Sequence, residues 1–245
     1  MSVTLAVVAE PDLGAIAGVE GEFDWGTATT VAPPEAEAAL AELRPEVVLA
    51  LGDASVPGDR VPDLRWLPAP ATASDGERVA APDGEGLHSR AALPVRDELF
   101  ELPAPDGGNL LVVSGNADRR GALVDELVQA RVAGAGAESL TLEGLAAARA
   151  VAFLPEPGER SMPASAPAVL AARRVLIAPP AELTFGLEAG TDHLVASEDQ
   201  HVLEYAAISS GLGRSLETLT VLGRMTAERH RASVVYGRLV RELAG

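Results

Sequence analysis

The sequence predicts an α/β protein of two open lobes, with a cleft between them and a long C-terminal helix, and three observations carry that expectation. Short apolar runs rich in Val, Leu and Ala recur between helical stretches, as buried parallel strands do. From 53 to 108 this rhythm gives way to extended pieces broken by Pro and Gly, and it restarts at Asn109. The chain has 245 residues, 47% of them hydrophobic, enough for two lobes with cores of their own.

Taken in order, Val3 to Ala9 reads as the first strand. "PPEAEAALAELRP" at 33 to 45 reads as a helix opened by proline and closed before Pro45, and "EVVLALGD" follows as a strand, completing a βαβ unit. "LPAPDGG" at 102 to 108 is the expected linker, which divides the chain into lobes 1–105 and 106–245. Beyond it, "NLLVVSGN" is strand-like and "ADRRGALVDELVQARV" is an amphipathic helix, and Glu143 to Arg149 leads into the strand-like "AVAFLPE". "APAVLAARRVLIAP" at 166 to 179 is a small-residue helix running into a strand. A short strand "HLVAS", a helix from Glu198 to about Ser209 and a long terminal helix from about Ser215 to Leu243 complete the reading. Ligands in open α/β lobes bind beyond the carboxyl ends of the strands, so the cleft is the expected site.

Composition excludes several function classes. With 36 acidic and 19 basic residues the formal charge is -17, which repels nucleic acid and anionic lipid. Every basic residue among those 19 is arginine, so no lysine Schiff base or P-loop can form, and arginine must serve any phosphate. The absence of cysteine removes disulfides and thiolate sites and fits a cytoplasmic protein. The start "MSVTLAVVAEPDLG" has no basic n-region, and its apolar run is too short to span a bilayer. The four histidines lack metal-ligand spacing, and no metal is expected.

Five stretches in order carry a resemblance: "ERVAAPDGEGLHSRAALPVRDELFELP", "NLLVVSGNADRRGALVDELV", "APAVLAARRVLIAP", "GTDHLVASEDQHVLEYA" and "LGRMTAERHRASVVYGRLVREL". From about 77 to 243 the chain resembles the CgeB-like (spore-maturation) glycosyltransferases, a branch of the GT-B superfamily with two Rossmann-like lobes. The resemblance implies a nucleotide-diphosphate sugar as donor substrate, held by the second lobe without a required metal, and an acceptor approached from the first. Its alternative is a degenerate member that binds a nucleotide sugar, a protein partner or a second copy of itself without catalysis. It also implies that Gly115 and Asn116, with Arg119 and Arg120 in the following first turn, open the donor lobe. A turn glycine and two solvated arginines are the plainer use of those residues. The family's ribose-binding glutamate falls at or beside Ala168, which has no side chain to accept that hydrogen bond.

Other candidates follow from the residues themselves. Glu182 sits at a strand's carboxyl end in "PPAELTFG", and Thr184 and Gly186 supply a hydroxyl and a flexible backbone position suited to phosphate. An ordinary acidic, glycine-containing loop reads the same way. For a catalytic base, Asp12 follows the first strand and His88 precedes "SRAALPV". A helix cap and a surface histidine are their structural alternatives. Trp25 and Trp66 either stack on a ligand ring or pack inside.

Overall fold

The computed structural model describes residues 2–58, 61–67, 79–80, 92–105, 109–154, 161–210 and 214–243. It divides into two compact units: unit 1 comprises Met1–Asp97 with Arg229–Gly245, and unit 2 comprises Glu98–Glu228.

Unit 1 begins with β1 (Val3–Ala9), whose apolar side chains are nearly all buried, and α1 (Pro11–Ala17), which carries proline in its first turn. A hairpin of β2 (Gly21–Phe23) and β3 (Gly26–Val31) follows. The 3-10 turn Pro33–Glu35 leads into α2 (Ala36–Leu43), and then come β4 (Val47–Leu51), β5 (Leu64–Trp66) and β6 (Val79–Ala80). The sheet order is β2-β3-β1-β4-β5-β6, parallel throughout except for the β2–β3 pair. Gly26 is required at its place: its φ is 148°, and a Cβ there would run into the backbone of Val3 on the neighbouring strand. One small core joins Ala6, Val8 and Val48 of the sheet to Ala36 of α2, with Leu40 packed against it.

Unit 2 carries β7 (Asn109–Val113), α3 (Ala117–Gln129), β8 (Gly134–Ala137), α4 (Leu142–Ala147), β9 (Ala148–Phe153), α5 (Ala166–Ala171), β10 (Val175–Ala178), β11 (Leu194–Val195), α6 (Asp199–Ser210) and α7 (Arg214–Ala227). Its five strands are all parallel, in the order β11-β10-β9-β7-β8. All six residues of α5 are buried, as a helix apolar on every side must be. Arg174, 2% exposed, donates to the carbonyls of Leu145 and Ala146 at 3.0 and 3.2 Å and so closes the last turn of α4. It also donates to Pro103 and Ala172 carbonyls, both at 2.8 Å.

The last segment belongs to unit 1. The helical tail expected from Ser215 to Leu243 is two helices, α7 and then α8 (Ala232–Leu243), with the 3-10 turn Glu228–His230 between them. The compact units therefore differ from a linear division at 105: residues 98–105 group with unit 2, and 229–245 with unit 1. Asp97 fastens the start of α8, accepting from the Ser233 N–H at 3.1 Å and its hydroxyl at 2.6 Å. The Tyr236 phenol, fully buried, donates to the Ala17 carbonyl at 2.6 Å, and burial pushes its pKa far up, so it stays protonated.

Candidate functional site

In unit 2 the chain leaves β7 for β8 on one side and returns to β9 on the other, so the switch in strand order falls between β7 and β9. Ligands of open parallel sheets bind at such a switch, beyond the carboxyl ends of the strands. The loop leaving β7 is Ser114, Gly115 and Asn116. Asn116 caps α3: its backbone is extended and its side-chain oxygen accepts from the Arg119 N–H at 3.0 Å. The buried Ser114 hydroxyl in turn accepts from the Asn116 N–H at 3.1 Å, which holds the loop in shape. Gly115 and Asn116 are exposed at the positive end of a 13-residue helix, a setting that favours an anion.

The two arginines of this turn are already engaged. Arg119 grips Asp199, the first residue of α6, with Nε 3.2 Å from each carboxylate oxygen and Nη2 2.6 Å from Oδ1. This is a fork of the kind arginine offers a phosphate. Arg120 turns back to donate to the Ser114 carbonyl, and its stem covers Gly136 of β8. Asp199 is not a candidate from the sequence, where its only local signal is an acidic residue opening a helix after "SE".

Glu182, Thr184 and Gly186 lie on the connection from β10 to β11, at the same carboxyl edge of the sheet. Glu182 is exposed, and Thr184 and Gly186 flank a tight turn in which the Thr184 carbonyl accepts from the Leu187 N–H at 2.9 Å. Phe185 and Gly186 both adopt left-handed backbone, at φ 54° and 77°, which for phenylalanine is a strained conformation. β9 lies between β7 and β10, so the two loops begin about 10 Å apart. Ser161, on the connection from β9 to α5, pairs with Leu183 of that loop, and its buried hydroxyl has no hydrogen-bond partner among the described residues.

The far end of the β10–β11 connection is pinned by the buried Asp192 carboxylate. It accepts from the Glu188 N–H at 2.8 Å and from the Thr226 hydroxyl of α7 at 2.9 Å. Beside it His193 is 2% exposed, and burial holds its pKa below the ordinary imidazole value, with Asp192 opposing that shift.

Asp12 is in unit 1, exposed in the first turn of α1 beyond the carboxyl end of β1. His88 lies outside the described residues. Ala168 is buried within α5, and both tryptophans are packed inside, Trp25 at 9% and Trp66 at 3% exposure. Among the described residues no group of three or more His, Asp or Glu side chains could hold a metal ion, and no helix is long and apolar enough to cross a membrane.

No protein-family model and no curated protein matches the chain. Its fold, however, is similar to that of an alpha-glucosyltransferase solved in complex with UDP and a 13-mer DNA containing an HMU base, with a TM-score of 0.53 over 100% of both chains at 8% identity. The fold is that of the two-lobed GT-B glycosyltransferases. Two further solved glycosyltransferases have TM-scores of 0.49: AviGT4, involved in avilamycin A biosynthesis, and one from Rickettsia africae. They share 14% and 6% identity, over 99% of this chain and 97% and 98% of theirs.

Proposed function

We propose that this GT-B chain is a glycosyltransferase that binds a nucleoside-diphosphate sugar along the carboxyl edge of the unit 2 sheet and transfers the sugar to an acceptor. The observation that carries the reading is the capped loop Ser114–Gly115–Asn116 at the strand-order switch, set about 10 Å from the strained Phe185–Gly186 turn. That spacing suits a ligand with a diphosphate at one loop and a sugar or base at the other. In this reading amide N–H groups and Arg119 hold the diphosphate in place of a divalent cation, Thr184 and Glu182 face the remainder of the donor, and Asp12 is the candidate general base. The full-length likeness to a UDP-bound glucosyltransferase makes UDP sugars the first donors to try. A DNA acceptor, as in that protein's complex, is disfavoured here by the formal charge of -17. The five ordered stretches make the CgeB-like branch the finer assignment, and a cytoplasmic location accompanies it.

A second reading, binding without transfer, has its own support. Asp199 occupies the arginine fork that a diphosphate would use, and Ala168 is buried where the resembled family places its ribose glutamate. Calorimetry with UDP, GDP, TDP and their sugar conjugates on the wild type, Asp199→Asn and Arg119→Ala decides between them. Binding that tightens in Asp199→Asn and falls about tenfold in Arg119→Ala supports the donor site. Release of free UDP from a bound UDP sugar supports transfer, and its absence despite binding supports the second reading. Failure of every nucleotide to bind overturns both.

A further inference from the structure

Unit 1 contains a cavity at the opposite end of its sheet from the one where such folds place their ligands. β3 starts beside Val3, so the Asp24–Trp25 turn of the hairpin lies at the amino end of β1. There the hairpin and α8 line an open pocket of about 520 Å³, bounded by Glu22, Phe23, Asp24, Trp25, Arg238 and Arg241 among others. The size is within the range of small-molecule sites.

The walls are built. The Trp25 indole N–H donates to the Ser233 carbonyl at 3.1 Å, and Gly237 lets the ring lie directly on α8, because any Cβ there would strike the indole. Phe23 stacks on the indole with centroids 5.0 Å apart and planes 4° from parallel. Asp97 holds α8 at Ser233. Four exposed charges surround this fixed aromatic pair, Glu22, Asp24, Arg238 and Arg241, and among the described residues their side chains make no ion pair or hydrogen bond with one another.

The two carboxylates disfavour a simple anion and the two guanidinium groups a simple cation. A ligand that satisfies the whole lining presents neighbouring groups that both donate and accept hydrogen bonds, with an apolar face for Phe23. Vicinal hydroxyls on a pyranose ring have that chemistry: carboxylates accept from them, arginines donate to them, and the C–H face lies on the aromatic ring. We propose that this cavity binds a neutral saccharide, one or two rings long. The inference rests on these residues alone and does not depend on a nucleotide site in unit 2.

Saturation-transfer NMR on the full chain, with maltose, cellobiose, lactose, mannobiose and chitobiose as probes and glucuronate as an anionic control, tests it. The expected result is saturable transfer to at least one neutral disaccharide. Affinity should weaken about tenfold in Arg238→Gln and in Asp24→Asn, neutralising exchanges of exposed side chains whose folding is checked by an unchanged circular dichroism spectrum. UDP-sugar calorimetry on the same variants should match the wild type, which separates this site from the unit 2 reading. Transfer to none of the disaccharides, transfer undiminished in both variants, or transfer to glucuronate alone would overturn the proposal.

Discussion

Leaving aside the antiparallel β2, the two units order their parallel strands alike: β3-β1-β4-β5-β6 in unit 1 and β8-β7-β9-β10-β11 in unit 2. In both, the first strand of the unit lies second in the sheet, and a helix starts just beyond its carboxyl end. What stands there differs. Unit 1 has Glu10, Pro11 and Asp12 ahead of a seven-residue helix with no side-chain cap; unit 2 has Ser114, Gly115 and Asn116 ahead of a capped helix of 13 residues. Each helix has one carboxylate in its first turn, Asp12 in α1 and Asp118 in α3, but unit 1 adds Glu10 ahead of its helix, where unit 2 has a glycine, a neutral cap and a longer dipole, the setting more favourable to an anion. One topology thus places a strand-to-helix loop at the same point of each sheet, and the residues of that loop set its chemistry.

Each unit also ties backbone carbonyls to a buried donor, the Arg174 guanidinium in unit 2 and the Tyr236 phenol in unit 1, and substitutions sharpen the comparison. The largest effect is expected for Arg174→Ala, which leaves four carbonyls of unit 2 without their donor, those of Leu145 and Ala172 in buried places. Urea denaturation should show a loss of about 3 kcal/mol or more, and an unchanged midpoint would show that water replaces the guanidinium. Burial lowers the pKa of Arg174, but arginine starts so high that the group remains charged. The counterpart in unit 1 is Tyr236→Phe, which deprives the Ala17 carbonyl of its donor. It should cost about 1–2 kcal/mol by the same measurement.

His193 adds a pH dependence to unit 2. Its folded pKa is depressed, so the unfolded chain binds the proton more readily, and stability rises with pH between the folded pKa and about 6.5. The contribution is complete above that value and is lost as pH falls toward the folded pKa. His193→Gln should flatten this part of the profile in denaturation series at about pH 5 to 7.5; an unaltered slope would assign it to other groups. The smallest effect is expected for Asp199→Asn. The Arg119–Asp199 pair is about one-third exposed, at 30% and 38%, so its loss should cost under about 1 kcal/mol of stability even where it alters nucleotide affinity.

Strands β1, β4, β7, β9 and β10 were legible because both faces of each are covered, which leaves continuous Val, Leu and Ala runs. β3 ("GTATTV") and β8 ("GAGA") were not, because their side chains are small or carry hydroxyls. The apolar cover of β8 comes from α3: Leu127 lies over Gly134, and the Arg120 stem over Gly136. The break in the tail is not legible in the sequence because helical periodicity persists through 228–230, where the chain passes from unit 2 to unit 1. At the candidate site, Gly115 and Asn116 announced a strand-to-helix loop, yet the engagement of Arg119 depends on a carboxylate 80 residues away.

The sequence by itself determined the alternation of apolar runs and helices, the loop that opens the second α/β repeat, the reliance on arginine and the acidic charge. These are properties of composition and of neighbours a few residues apart. Only the tertiary structure decided that the last helix belongs with the first unit, that Trp25 meets Ser233 across 208 positions and Tyr236 meets Ala17 across 219, and that Asp199 claims Arg119. Local pattern tells a residue which element to join; which side chain it then meets is set by strand order and helix return, which no short window of sequence contains.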